Sequence, residues 1–166
     1  MTQGPHYRVP FRRRREGRTD YRVRSKLLRG GRPRVVVRKT LNQTIVQFIV
    51  PDAKGDRVLA TAQSLELKDH GWSAGTGNLP AAYLTGFLAG RRAAAKGLKE
   101  AILDIGMQRP SRGGRLFAAL QGLLDAGVVV PHDKAVLPPQ DRLRGAHIGD
   151  EVPKQFDAVK SKLEAS

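Results

Sequence analysis

The chain of 166 residues contains no cysteine, which excludes disulfide staples, zinc knuckles and thiol chemistry and removes the best ligand a metal site could have. Nor does any apolar run approach the roughly 18 to 20 consecutive residues that a membrane span requires. The N-terminus is too basic and too poor in apolar residues for a secretory signal, and with one serine in residues 1–31 it lacks the Ser-rich character of a transit peptide. Aromatics make up only 5% of the chain, with a single tryptophan, Trp72. Acidic residues are scarce as well: 15 Asp and Glu face 30 Lys and Arg, giving a formal charge of +15 and a pI near 11.1. That imbalance favours polyanionic partners, nucleic acid first, and opposes self-association at low salt.

What is present is unevenly placed. Residues 1–39 hold fourteen Lys or Arg against Glu16 and Asp20, so this segment alone carries +12 of the +15. An arm with arginines at 8, 12, 13, 14, 15, 18, 22 and 24 repels itself and has few apolar residues to bury. It is therefore expected to order only against a counter-charge, apart from a short helix over Ser25–Arg29 that docks on the body before Gly30-Gly31. The organisation expected is a basic arm over 1–32, a globular body over 33–131 and a C-terminal extension with a short helix over 132–166. The 40% hydrophobic content suffices for one compact domain with appendages.

Within the body, Val35-Val36-Val37 reads as a strand buried on both faces. Thr44–Val50 and Arg57–Ala62 read as two more, joined by the turn-rich Asp52–Asp56 into an antiparallel meander. Asn78 and Pro80 start a helix over 81–96 that stops at Gly97. Its small residues Ala82, Gly86, Gly90 and Ala93 predict close approach to the sheet. Ala101–Ile105 is a fourth strand, 114–126 a second helix with Leu116, Leu120, Leu123 and Leu124 on one face, and Val128–Val130 a fifth strand. The order, three strands, helix, strand, helix, strand, implies an α/β sandwich with right-handed parallel crossovers at its end. Residues 131–150 show no periodicity, while Phe156, Val159 and Leu163 predict a helix in the tail, lying on a surface.

Chemistry-bearing residues point to RNA rather than to catalysis. The arm interleaves arginines with Tyr7, Phe11 and Tyr21, combining phosphate neutralisation with stacking on unpaired bases. Arginine dominates over lysine, and its planar fork pairs two phosphate oxygens or stacks on a base. A solvated charge run or localisation signal is the plainer alternative. The loop Gln108–Arg115 adds glycines and Arg109, Arg112 and Arg115 at a helix start, a candidate phosphate contact, against an ordinary loop with Ser111 as helix cap. Trp72 is expected to pack. Gly71–Gly75 formally matches G-x-S-x-G, but no strand precedes it and no helix follows at once, and no P-loop string occurs. His6, His70, His132 and His147 lack the helical i, i+4 partner of a metal site, and Asp104, catalytic or turn-capping, cannot alone run two-metal chemistry.

Several stretches also resemble a known family in order: GPHYRVPFRRRREGRTDYRVR (Gly4–Arg24), PRVVVRK (Pro33–Lys39), GTGNLPAAYLTGFLAG (Gly75–Gly90), AILDIG (Ala101–Gly106), RLFAALQGLLDAG (Arg115–Gly127) and RLRGAHI (Arg142–Ile148). They are similar to the archaeal and eukaryotic branch of the universal eighteenth large-subunit ribosomal protein family, the 5S rRNA binders. The resemblance implies a ribonuclease-H-like three-layer sandwich with a five-stranded mixed sheet, plus an extended basic N-terminal arm and a C-terminal helical tail. It implies a non-enzymatic constituent of the cytoplasmic ribosome, in the central protuberance of the large subunit. The implied partners are 5S rRNA, large-subunit rRNA and neighbouring ribosomal proteins including the other 5S-binding protein, with no cofactor, membrane or small-molecule substrate. The candidate RNA contacts are then Tyr7, Arg8, Phe11, Arg12, Arg13, Arg14, Arg15, Arg18, Tyr21, Arg22, Arg24, Lys26 and Arg38, with Arg109, Arg112 and Arg115 in the loop and Arg142 and Arg144 in RLRGAHI. Two other readings remain to be weighed, a metal-dependent RNase of ribonuclease-H-like fold and a free-standing RNA chaperone. The first is opposed by Val35–Val37 and its flanks, which carry no Asp or Glu where such enzymes place a metal-binding carboxylate. The second requires binding without preference for 5S rRNA.

Overall fold

Three consecutive valines at the head of a strand set the centre of the structure, a computed structural model that describes residues 4–165. Strand β1 (Arg34–Lys39) lies between β2 (Thr44–Asp52) on one side and β4 (Ile102–Asp104) on the other, and β3 (Gly55–Gln63) completes an open sheet of order β3-β2-β1-β4. β1–β2 and β2–β3 pair antiparallel and β1–β4 parallel. Val35, Val36 and Val37 are all buried, as an uninterrupted β-branched run in a central strand should be. Register sorts the faces: Val35 opposes Phe48 and Val37 opposes Val46, pointing to the helices, whereas Arg34 opposes Ile49 and Val36 opposes Asp104 on the outer face. The β2–β3 turn is shorter than the sequence suggests, because Asp52 pairs directly with Gly55, whose φ of 142° suits a glycine.

Among the described residues there are six α-helices: α1 (Arg12–Arg15), α2 (Tyr21–Arg29), α3 (Leu79–Ala95), α4 (Arg115–Asp125), α5 (Gln140–Arg144) and α6 (Val152–Ala165). Asn78 caps α3 by accepting from the Ala81 amide at 2.8 Å, and Pro80 occupies the first turn where no amide is needed. α3 is buried all round because β2 and β3, α4 and α6 cover different sides of it. Its glycines do not face the sheet as expected. A Cβ on Gly86 would stand 2.0 Å from the Ala119 carbonyl oxygen, and one on Gly122 would stand 2.1 Å from that of Tyr83, so the glycines bring α3 and α4 into backbone contact. Tyr83 ties the pair further, donating to Asp125 at 2.5 Å, and burial with that carboxylate raises the phenol's pKa.

Two further expectations need correction. The fifth strand reduces to one parallel bridge, Glu100 with Val129, in which the Val129 amide donates to Lys99 at 2.9 Å and the Ala101 amide donates to Val129 at 3.0 Å. Val128–Val130 is confined between Gly127, at φ 91°, and Pro131, which has no amide to extend the ladder, so the sheet is four-stranded rather than five-stranded. The tail does not merely lie on a surface: Val152, Phe156, Val159 and Leu163 join the main hydrophobic core, with the Phe156 ring 5.2 Å from that of Tyr83.

Candidate nucleic-acid interface

The arm also departs from expectation, since it forms two helices. α1 is one turn of four arginines closed by Glu16, whose carboxylate forms ion pairs with Arg18 at 3.1 Å and with Arg12 at 3.8 Å. α2 starts earlier than Ser25 because Asp20 is an N-cap, accepting from the amides of Arg22 at 2.8 Å and Val23 at 3.3 Å. Nine residues are too few to hold a helix alone, and no side chain of α2 is fully buried. What anchors it is ionic. Arg24 donates a two-pronged fork to Asp56, at 3.0 and 2.7 Å. Asp56 also accepts from Arg34 at 2.9 Å, and Arg34, only 2% exposed, donates to Asp104 at 2.6 Å. Two guanidiniums and two carboxylates thus neutralise one another across α2, β3, β1 and β4, which is what permits Arg34 to be buried. Arg24, with Arg34 behind it, holds the Asp56 carboxyl below the usual carboxylate range.

Between the arm and the outer face of the sheet runs a cleft of about 860 Å³. It brings together Arg13, Arg18, Tyr21, Arg24 and Arg38 from the sequence-derived set and adds Arg34 and Lys39, with Asp20, Asp56 and Asp104 as counter-charges. Arg13 is oriented by donating Nε to Thr19 at 2.9 Å. Arg8, Arg12, Arg14, Arg15, Arg22 and Lys26 are exposed, and Arg22 and Lys26, four apart, share one side of α2. Tyr7 is half exposed. Phe11, 72% exposed, has its ring 5.3 Å from that of Tyr21, so these two aromatics brace the arm's bend while leaving a face open to stacking.

The loop after β4 adjoins this cleft through Ile105, Gly106, Met107 and Gln108. Gln108 acts as a surrogate strand residue: its amide donates to the Val37 carbonyl at 2.7 Å and accepts from the Lys39 amide at 3.0 Å, continuing the edge where β4 has ended. Arg109 and Arg112 are exposed beyond it. Arg115 is partly buried, and its Nη1 donates to the carbonyls of Thr40 (2.9 Å), Leu41 (3.3 Å) and Gly77 (2.8 Å), clamping the β1–β2 hairpin to the loop before α3. Ser111 does not cap α4 with its side chain; its carbonyl accepts from Gly114, the N-cap residue, at 3.0 Å. Arg142 and Arg144 sit apart from the cleft, on α5 against α3 and α6, where Arg144 pairs with Asp157 at 3.1 Å.

Asp104 both pairs with Arg34 and caps a turn by accepting from the Gly106 amide at 2.9 Å. Trp72 is buried, donating to the Gly75 carbonyl at 3.2 Å. No group of three or more His, Asp or Glu suited to a metal ion occurs among the described residues, and no described helix is long and apolar enough to cross a membrane. Sequence reasoning missed Arg34, Lys39, Asp56 and Gln108. Arg34 had a visible signal, a lone charge at the head of a strand buried on both faces, but its partners are remote in sequence.

The arrangement is a layer of exposed arginines and aromatics over a basic cleft. Comparison with known proteins agrees in kind. The family described as ribosomal large subunit proteins 60S L5 and 50S L18 matches residues 5–100 and 94–133. The chain is similar to the large ribosomal subunit protein uL18 of Methanothrix thermoacetophila, 52% identical over 98% of this chain and 99% of that one. It is similar also to the uL18 proteins of Natronomonas pharaonis, 46% identical over 99% and 98% of the two chains, and of Methanococcoides burtonii, 48% identical over 98% and 97%.

Proposed function

Because the chain belongs to the 60S L5 and 50S L18 family of ribosomal large-subunit proteins, it is a structural constituent of the archaeal-type large subunit, and we propose that it binds 5S rRNA and helps attach it to large-subunit rRNA in the central protuberance. The neighbouring partners are other ribosomal proteins, including the second 5S-binding protein, and the protein has no catalytic role. Residues 1–32 act as the RNA-binding arm, 33–131 as the α/β body and 132–166 as an extension bracing α3. A ribonuclease-H-like fold is part of this reading, supported by the mixed order β3-β2-β1-β4 and by the Glu100–Val129 bridge where a fifth strand would stand.

The observation that carries the reading is the display of Arg12, Arg13, Arg14, Arg15, Arg22 and Lys26 on two short helices, with Arg18 in the segment between them, above a basic cleft, next to Tyr7, Phe11 and Tyr21. Arg8, Arg24 and Arg38 extend this surface, Arg109 and Arg112 flank it, and Arg115 supports the flank by clamping the hairpin. Arg142 and Arg144 form a separate basic point on α5. Neutralising about six to ten phosphates makes affinity fall by about a thousandfold or more between 50 and 200 mM salt. The test is a gel shift of the full chain against 5S rRNA with tRNA competitor across that salt range. Deleting residues 1–29, which remove ten Lys or Arg, is expected to lower affinity by several orders of magnitude and flatten the salt slope. Unchanged affinity after deletion, or equal binding to tRNA, refutes the proposal.

A further inference from the structure

We propose that Asp56 is a positioning residue for the RNA-binding arm: gripped from beneath by the buried Arg34, its carboxylate holds Arg24 and so seats α2 on the outer face of the sheet. This rests on the reading of the arm as the RNA-binding element. A carboxylate in a basic cleft is a liability for phosphate binding, because it repels the ligand and occupies an arginine. Its geometry gives it a different use. α2 has no fully buried side chain; Leu27 and Leu28 are only partly covered, and Gly30 approaches Ile102 at the helix end. Non-directional contacts of that kind set neither the rotation nor the slide of a helix. The Arg24 fork onto both Asp56 oxygens does, being planar and two-pronged.

Asp56 itself stands near the exposed β2–β3 turn, where a carboxylate alone would move freely. Arg34 removes that freedom, since it is nearly fully buried and held on its other nitrogen by Asp104. The chain Arg24–Asp56–Arg34–Asp104 therefore transmits the rigidity of the central strand to the arm. Its effect is to present Arg22 and Lys26 on a seated helix and to fix one wall of the cleft, so that less freedom is lost when RNA binds.

The experiment sets this against simple electrostatics. Asp56→Asn raises the net charge by one and on charge alone should tighten RNA binding; on the present proposal it weakens binding of the full chain to 5S rRNA about five- to tenfold. Hydrogen exchange of the 21–29 amides should accelerate while the β1 and α3 amides keep their protection. Asp56→Glu should recover part of the loss. Asp69→Asn, the same charge change outside the cleft, should leave affinity level or slightly raised. Asp56→Asn on an Arg24→Ala background should add little, because the two act through one contact. Binding by Asp56→Asn as tight as the parent, or α2 amides as protected, overturns the proposal. If the parent protein shows no preference for 5S rRNA, the functional reading falls instead, and the exchange comparison still decides whether Asp56 holds α2.

Discussion

Gly122→Ala tests the packing on which the body depends. In an exposed helix this change would gain about 1 kcal/mol, since alanine is the better helix former. Here the added Cβ would lie 2.1 Å from the Tyr83 carbonyl oxygen and 2.7 Å from the Phe87 amide nitrogen. Both obstacles are backbone atoms of a buried helix and cannot swivel aside, so α3 and α4 must part by roughly 1 Å, and a gap of that size forfeits about a quarter to a half of each contact along the seam. Overpacking of this kind costs about 1 to 3 kcal/mol, occasionally more, and backbone obstruction puts it at the upper end. After the propensity gain, the expected net loss is about 2 kcal/mol, and at about 2 to 4 °C per kcal/mol for a chain of this size the melting temperature falls by about 4 to 8 °C. Calorimetry of the full chain measures it, with Gly75→Ala, which meets nothing within 4 Å, as the control. α2 is held by Asp56 on the outer face of the sheet, opposite the face that packs on α3, so 5S rRNA affinity well below the melt should stay level. An unchanged or higher melting temperature for Gly122→Ala refutes the close-contact argument.

Arg34→Ala leaves Asp104 without its partner beneath the arm and is expected to destabilise the body by about 3 kcal/mol, read from urea unfolding, because a buried pair is broken on one side. Lowering the pH should release α2: the folded pKa of Asp56 lies below its unfolded value, so its stabilisation is complete above the unfolded value near 3.8 and is lost as pH falls through the folded one. Asp104 faces Asp56 only across Arg34, so α2 amide protection that does not fall as the Asp56 carboxyl takes up its proton, followed by its carboxyl carbon chemical shift, would contradict this. Changing Arg109 and Arg112 together to Ala should reduce the salt slope by up to about two, whereas Arg115→Ala should leave it unchanged but speed exchange at residues 40–43; the reverse pattern would exchange the roles assigned to them.

Much of the body was legible because its signals are local. A β-branched run of three valines needs no partner to be recognised, and the β2–β3 hairpin, the Asn78 cap and the tail helix all lie within short windows. The position of the arm's charge, and hence the class of partner, was equally readable. Distances along the chain explain the rest. Small residues on α3 announce a close approach, but whether to the sheet or to α4 depends on a helix that begins some twenty residues after α3 ends. The strength of Val128–Val130 as a strand depends on how far β4 extends beside it, and β4 has only three residues. The arm helix is seated by Arg24 with Asp56, 32 residues apart, and its support by Arg34 with Asp104, 70 apart. Composition and periodicity, summed over neighbours, determined which segments fold and which carry charge; which charges meet was decided by sheet register, because only register brings residues of β1, β3 and β4 onto one face beneath α2.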